Sequence, residues 1–232
     1  LNLRLMRLKG AMLEVFRDKT MPDAPWTHKP LPASAIARIG MSLAVDTMEV
    51  HGGQVTYHER DTMGPGYGEI GFTALRATIT GLDNRSNASQ AKEAVLRVHA
   101  NALVYGNSTV RLDYSAPLAS PNDRFSMSLY LNSIPFTLFN KMTDRLLRVE
   151  ATDGHIHTLT MHMHGDDRGG KGTVDLEYEA LRIAIHRQGG SGAKGRVIGL
   201  LANTAVRKNN LRSRNNYRQG TFSIDRRRDR SL

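Results

Sequence analysis

The sequence contains no cysteine. That excludes a disulfide framework and any thiolate metal centre, and it fits a periplasmic compartment as readily as a cytoplasmic one. No apolar run approaches the ~18–20 residues of a membrane-crossing helix, and no secretory signal opens the chain. Leu1 already stands in a strand-like alternation with Leu3 and Leu5, so the chain reads as part of a longer protein, and any anchor would lie outside it. Aromatic residues are few, at 6%, against 40% hydrophobic residues, an ordinary balance for a soluble domain. Acidic residues are in deficit: 22 Asp and Glu face 32 Lys and Arg, for a net charge of +10. Such an excess suits anionic partners, whether nucleic acid, acidic polysaccharide or lipid headgroups.

The excess is uneven. Arg207, Lys208, Arg212, Arg214, Arg218, Arg226, Arg227, Arg228 and Arg230 crowd the end of the chain against Asp225 and Asp229. The charge therefore describes the tail rather than the body. Tyr217 and Phe222 are too few to make a base-stacking platform there. A solvated or lipid-headgroup-facing tail is the favoured reading over a nucleic-acid-binding one.

What the chain has in abundance is two-residue alternation, the period of a half-buried strand. Leu96, Val98, Ala100, Ala102 and Val104 share one face. Val110, Leu112, Tyr114 and Ala116 share the next, and Phe125, Met127, Leu129 and Leu131 a third. Hairpin-length connections at Gly106-Asn107 and Pro117–Asn122 join them. Val174, Leu176 and Tyr178 continue the pattern, but after Ala180 the phase flips to Leu181, Ile183 and Ile185. The same flip occurs where Ile70, Phe72 and Ala74 give way to Leu75, Ala77 and Ile79. A flip inside a strand marks a bulge or sharp bend. The two stretches, Phe72-Thr-Ala-Leu-Arg-Ala-Thr-Ile79 and Tyr178-Glu-Ala-Leu-Arg-Ile-Ala-Ile185, read as one bent strand type used twice.

The remaining elements follow from punctuation. Leu1–Asp18 reads as a strand pair or one long strand, followed by a loop marked by Pro22, Pro25, Pro30 and Pro32. Pro32–Ile39 predicts a short helix with proline at its start. Met41–Val50 and Gln54–Arg60 predict two strands around a His51-Gly-Gly53 hairpin turn. Ile134–Met142 predicts a helical excursion, Arg145–Gly165 and Gly172–Gln188 a strand pair, and Gly220–Asp225 a last strand. The expected fold is mainly β: a long twisted antiparallel sheet with one apolar face, curled into a groove or half-barrel, with a few short helices. Residues 1–188 form the β-groove domain. Residues 189–232 supply a linker, a short helix at Val197–Leu201 and the basic segment.

Chemical motifs compete poorly with plain structural readings. Gly66-Tyr-Gly68-Glu-Ile-Gly71 fits a dinucleotide fingerprint by letter, but a strand follows where the fingerprint needs a helix. Gly189–Gly195 matches a phosphate loop in composition only. His155, His157, His162 and His164 are the best metal candidates. Their parity puts the two pairs on opposite faces unless a bulge falls between Ile156 and Leu159. A solvated strand face is the expected alternative, with no metal. Asn84, Asn87 and Asn107 begin glycan sequons in turns where Asn is expected anyway. No nucleophile–base pair is supported by spacing, so neither catalysis nor a cofactor is expected.

The chain resembles a known family in the order of several short motifs. They are Phe16-Arg-Asp-Lys19, Val55-Thr-Tyr57-His-Glu59, the run Gly71 to Asn84, Asp153-Gly-His-Ile156, Tyr178-Glu-Ala-Leu181, Leu200-Leu-Ala-Asn203 and Arg228-Asp-Arg-Ser231. In that order they resemble the C-terminal part of AsmA-like envelope proteins of the Bacteroidetes type, wider relatives of TamB and the bridge-like lipid transfer proteins. The likeness runs from about Leu13 onward. The chain departs from the family at Gly81-Leu-Asp-Asn84, where Asn-Leu-Thr-Asn is usual. It also lacks the family's aromatic, amphipathic end and its membrane helix.

The resemblance implies a periplasmic segment of a protein held in the inner membrane by a part outside this chain, serving outer-membrane biogenesis. It further implies phospholipid as the partner, with acyl chains against Val110, Leu112, Tyr114, Phe125, Met127, Leu129, Val174, Leu176 and Tyr178. Anionic headgroups would lie near Arg226, Arg227, Arg228 and Arg230. A polyanion- or nucleic-acid-binding β module using the tail is the alternative.

Overall fold

The computed structural model describes residues 1–21, 29–61, 66–85, 94–185 and 207–226. Strands run β1 (Asn2–Lys9), β2 (Met12–Asp18), β3 (Ala44–Arg60), β4 (Tyr67–Asp83), β5 (Val95–Val104), β6 (Ser108–Pro117), β7 (Phe125–Leu131), β8 (Ile134–Pro135), β9 (Val149–Asp166), β10 (Gly169–Ile185) and β11 (Gly220–Asp225). All belong to one sheet, in the order β1-β3-β4-β5-β6-β7-β9-β10-β11, with β2 also on β3 and β8 on β9. Helix α1 is Pro32–Ala37, and a 3-10 turn at Phe136–Phe139 leads into helix α2, Asn140–Leu147.

The expected mainly-β fold is what the chain adopts, with three local corrections. The sheet is antiparallel from β3 to β11, but its first edge is parallel: β1 and β2 lie in line along β3. The return from β2 to β3 carries α1, as a parallel neighbour demands a crossover. The hairpin expected at His51-Gly52-Gly53 does not form. Gly52, at φ 65°, and Gly53 instead make an irregularity inside one 17-residue strand, where the register slips between His51 and Val55. A glycine pair serves a bulge as well as a turn, and the neighbouring strand decides which. Residues 207–226, read as part of a separate segment, join the same sheet: β11 extends β10, and Asn210 pairs with Tyr178 through both backbone groups. The expected linker at 189–195 and helix at 197–201 lie outside the described residues.

Both phase flips are bulges centred on a left-handed alanine. Ala74 has φ 51° and Ala180 has φ 54°, and each falls in a register shift against the adjacent strand. In β10, Ala180 and Leu181 together face Gly154 of β9, whose φ is 122°. A Cβ on Gly154 would stand 2.8 Å from the Leu181 Cα, so this crossing admits only glycine.

These bends curl the sheet. Helix α2 packs on both β4 and β9, which three intervening strands separate in the sheet. Contact with both requires the sheet to fold around the helix. Gly68 of β4 permits the approach, since a Cβ there would meet the Met142 Sδ at 2.8 Å. The 3-10 turn carries the wedge inward. Phe139 meets Tyr105 edge-on at 5.7 Å between ring centroids, and Phe136 meets Tyr178 edge-on at 5.6 Å.

Candidate functional site

Cross-strand register places the alternating apolar residues on one concave face. One row runs Val98, Tyr114, Met127, Met163, Gly172, Phe222. The next runs Ala100, Leu112, Leu129, Met161, Val174, Gly220. A third runs Ala102, Val110, Leu131, Leu159, Leu176. Each row crosses the sheet because paired residues on neighbouring strands point to the same side.

The two ends of this face pack into cores and its middle belongs to none. At one end the α2 wedge covers a core of Ala102, Val104, Val110, Leu131, Ile134 and Ile156, with Leu129, Leu159 and Leu176 packed against it. At the other end Leu31 and Ala33, at the start of α1, bury Ala116, Phe125 and Met163, with Tyr114, Met127 and Phe222 alongside. A third core of Val45, Leu82 and Leu96 lies toward β3. Between them Val98, Ala100, Leu112, Met161 and Val174 are half-buried and belong to none of the three cores. From β5 to β10 the strip has residues on four of five strands, Leu129 of β7 being packed in the α2 core, and it extends ~19 Å at ~4.8 Å per strand. That is comparable with the ~15 Å of one leaflet's acyl layer.

The sequence-derived lipid face therefore divides. Val110, Phe125 and Tyr178 are buried at 6–8% exposure and serve as core. Tyr114, Met127, Leu129 and Leu176 line the plugs. Only Leu112 and Val174 lie on the uncovered strip. Val98, Ala100 and Met161 belong with them and were not on the expected face. Met161 carried a usable signal, since Leu159, Met161 and Met163 alternate strictly with Thr160, His162 and His164.

Of the expected headgroup arginines, Arg227, Arg228 and Arg230 lie outside the described residues. Arg226 is buried at 8% exposure, not solvated. Its guanidinium donates to the Lys29 carbonyl.

The opposite, convex face is polar. Its central row holds His99, Asp113, Ser128, His162 and Thr173. His99 Nδ1 lies 2.5 Å from Asp113 Oδ1, and Ser128 Oγ lies 2.9 Å from His162 Nδ1. The Ser128–His162 pair, which sequence spacing did not reveal, sits on an open strand face. The ladder takes up the surrounding backbone N–H groups there, leaving none to hold an oxyanion. A bulge does fall between Ile156 and Leu159, with the register slipping between Thr158 and Ile156. His155 hydrogen-bonds Ser133 at 2.6 Å and His157 approaches Glu179 at 3.4 Å, while His162 takes Ser128. No group of three or more His, Asp or Glu side chains fit to hold a metal occurs among the described residues.

Asn84, the first sequon residue, is used structurally. Its Nδ2 donates to the carbonyls of Ile39 and Met41, and its Oδ1 accepts from the Leu43 amide at 2.7 Å. A glycan on that nitrogen would break the clamp. A polar cleft of about 380 Å³ beside α2, lined by Tyr67, Glu69, Asn140, Lys141, Asp144, Arg145 and Glu150, mixes both charges without a nucleophile.

No family model, curated protein or solved structure matches this chain. Among the described residues no helix is long and apolar enough to cross a membrane.

Proposed function

We propose that this chain is a lipid-contacting segment of an AsmA-like envelope protein. In this reading phospholipid acyl chains lie on the uncovered strip, in the periplasm. The full-length protein is held in the inner membrane by a segment outside this chain. The observation that carries the reading is the strip itself: Val98, Ala100, Leu112, Met161 and Val174 form a half-buried apolar band that packs in none of the three cores. Apolar area left in contact with water costs ~25 cal/mol per Å², so such a band calls for a cover. A lipid tail supplies apolar cover without hydrogen-bonding demands, which suits a face whose backbone groups are already paired. The resemblance in motif order points the same way.

The test is uptake of a photo-crosslinkable phospholipid by the parent and by a Leu112→Asp, Val174→Asp double variant. Both residues stand outside the cores, so the variant is expected to keep its β-sheet circular dichroism and to lose most of the crosslinking. A folded variant that labels as well as the parent, or a parent that does not label, ends the reading. Sub-micromolar binding of nucleic acid at physiological salt would favour a polyanion-binding module instead.

A further inference from the structure

We infer that the cleft beside α2 is a saccharide-binding site, in which a pyranose ring lies on Tyr67 and hydrogen-bonds Asp144 and Arg145. The site goes beyond the lipid reading and shares no residue with the strip.

β4 supplies one wall of the cleft with Tyr67 and Glu69, and α2 supplies the other with Lys141, Asp144 and Arg145. Its volume of about 380 Å³ equals a cube ~7 Å on edge, so these groups face one small ligand together. Tyr67 is the one aromatic among the lining residues and is 41% exposed. Its hydroxyl donates to Asp18 Oδ2 at 3.2 Å, and its ring meets Phe16 edge-on at 6.0 Å between centroids. Both contacts hold the ring in place, and the first engages its hydroxyl.

The polar groups divide into engaged and free. Lys141 Nζ lies 3.9 Å from Glu69 Oε1 and 5.7 Å from the centroid of the Tyr105 ring. The Asn140 amide is held at both ends by the Ala151 backbone, donating at 2.9 Å and accepting at 2.8 Å, which fastens α2 to β9. The Asp144 and Arg145 side chains have no hydrogen bond or ion pair among the described residues. A free acceptor and a free donor thus stand side by side in a wall that is already fixed.

Such a pair suits a ligand that both gives and takes hydrogen bonds. An anion would gain Arg145 but meet Glu69, Asp144 and Glu150, and a cation would meet Lys141 and Arg145. A neutral polyol carries a donor and an acceptor on every hydroxyl, and its bonds to a carboxylate and a guanidinium are charge-assisted. A pyranose adds a face of C–H bonds, whose slight positive charge matches the negative face of an aromatic ring.

The experiment follows backbone amide shifts of the full chain by NMR during titration with glucose, N-acetylglucosamine and maltose, and separately with glycine and inorganic phosphate. At least one of the sugars is expected to shift the amides of Tyr67, Glu69, Asp144 and Arg145 at millimolar concentration, while those of Leu112 and Val174 stay in place. Arg145→Met should weaken sugar binding about tenfold. Tyr67→Leu should weaken it about fivefold. Tyr67→Phe should bind as the parent does, because the hydroxyl serves Asp18 and the ring serves the sugar. Unchanged amide positions in β6 and β7 verify that each variant is folded. The site is overturned if none of the sugars shifts the cleft, if the shifts fall elsewhere, or if Tyr67→Leu binds like the parent. Glycine or phosphate moving the same amides as strongly would make it a plain charge site, and would overturn it too. The lipid reading stands or falls separately, on crosslinking at the strip.

Discussion

The Ala180 amide donates to Asn209 Oδ1 at 2.8 Å, from a left-handed alanine in the middle of β10. The bulge turns that amide out of the β9 ladder, and the asparagine of the returning segment receives it. Leu181 is caught in the same way by the Lys208 carbonyl at 2.9 Å. The bend that curls the sheet and the segment that closes its last edge are thus one construction.

That construction makes opposite predictions for two kinds of small substitution. A left-handed alanine costs ~1–2 kcal/mol, and glycine gives back ~0.5–1 kcal/mol through chain entropy. Ala180→Gly, and likewise Ala74→Gly, should stabilise the protein by about 0.5–1 kcal/mol in urea unfolding. Gly154→Ala should destabilise it by roughly 2–4 kcal/mol, since its Cβ would collide with Leu181 from an unfavourable φ. Equal, small effects of all three would mean that the bulge is not strained.

Asn210 does for the closing segment what Asn209 does for the bulge. It is 4% exposed; its Nδ2 donates to the carbonyls of Leu176 and Arg218, and its Oδ1 accepts from the Arg218 amide. Asn210→Ala leaves these groups unmet and should cost about 2–4 kcal/mol. Hydrogen exchange should locate the loss. Amides of β11 should exchange faster while those of β6 and β7 keep their protection. Uniform loss across the sheet would show the segment to be inseparable from the core.

Acid should release the same edge. Burial pushes the Asp175 carboxyl up, but hydrogen bonds from Gln219 and Tyr217, with the charges of Arg212 and His162, bring it below the usual carboxylate value. A carboxylate lowered on folding stabilises above its unfolded pKa, and that stabilisation is lost as pH falls through the folded one. Exchange protection of β11 should therefore hold from neutral pH to about pH 4 and decline below it. In Asp175→Asn the decline should be shallower, from a weaker starting point.

Much of this architecture was legible because strands with one buried face write their period into the sequence. The flips at Ala74 and Ala180 could be read because a bulge inverts that period. The parallel first edge was not legible, since β1 and β2 alternate alike whichever way they run along β3. Nor was the glycine pair in β3, whose turn-like residues match a bulge equally well. The strip was half legible. Alternation marks Leu112 and Leu129 identically, and only tertiary packing decides that Leu129 joins a core and Leu112 does not. Arg226 reads as one of a run of solvated tail arginines, because nothing local reveals that β11 carries it onto the concave face.

The most direct test of the central claim exploits the two faces of a single strand. A photoreactive residue placed at Leu112 or at Asp113 differs by one position in sequence and by the thickness of the sheet in space. The account predicts that, in protein incubated with phospholipid vesicles, position 112 crosslinks lipid, as does position 174, while positions 113 and 173 do not. Equal labelling at 112 and 113, or labelling confined to the convex side, would contradict it.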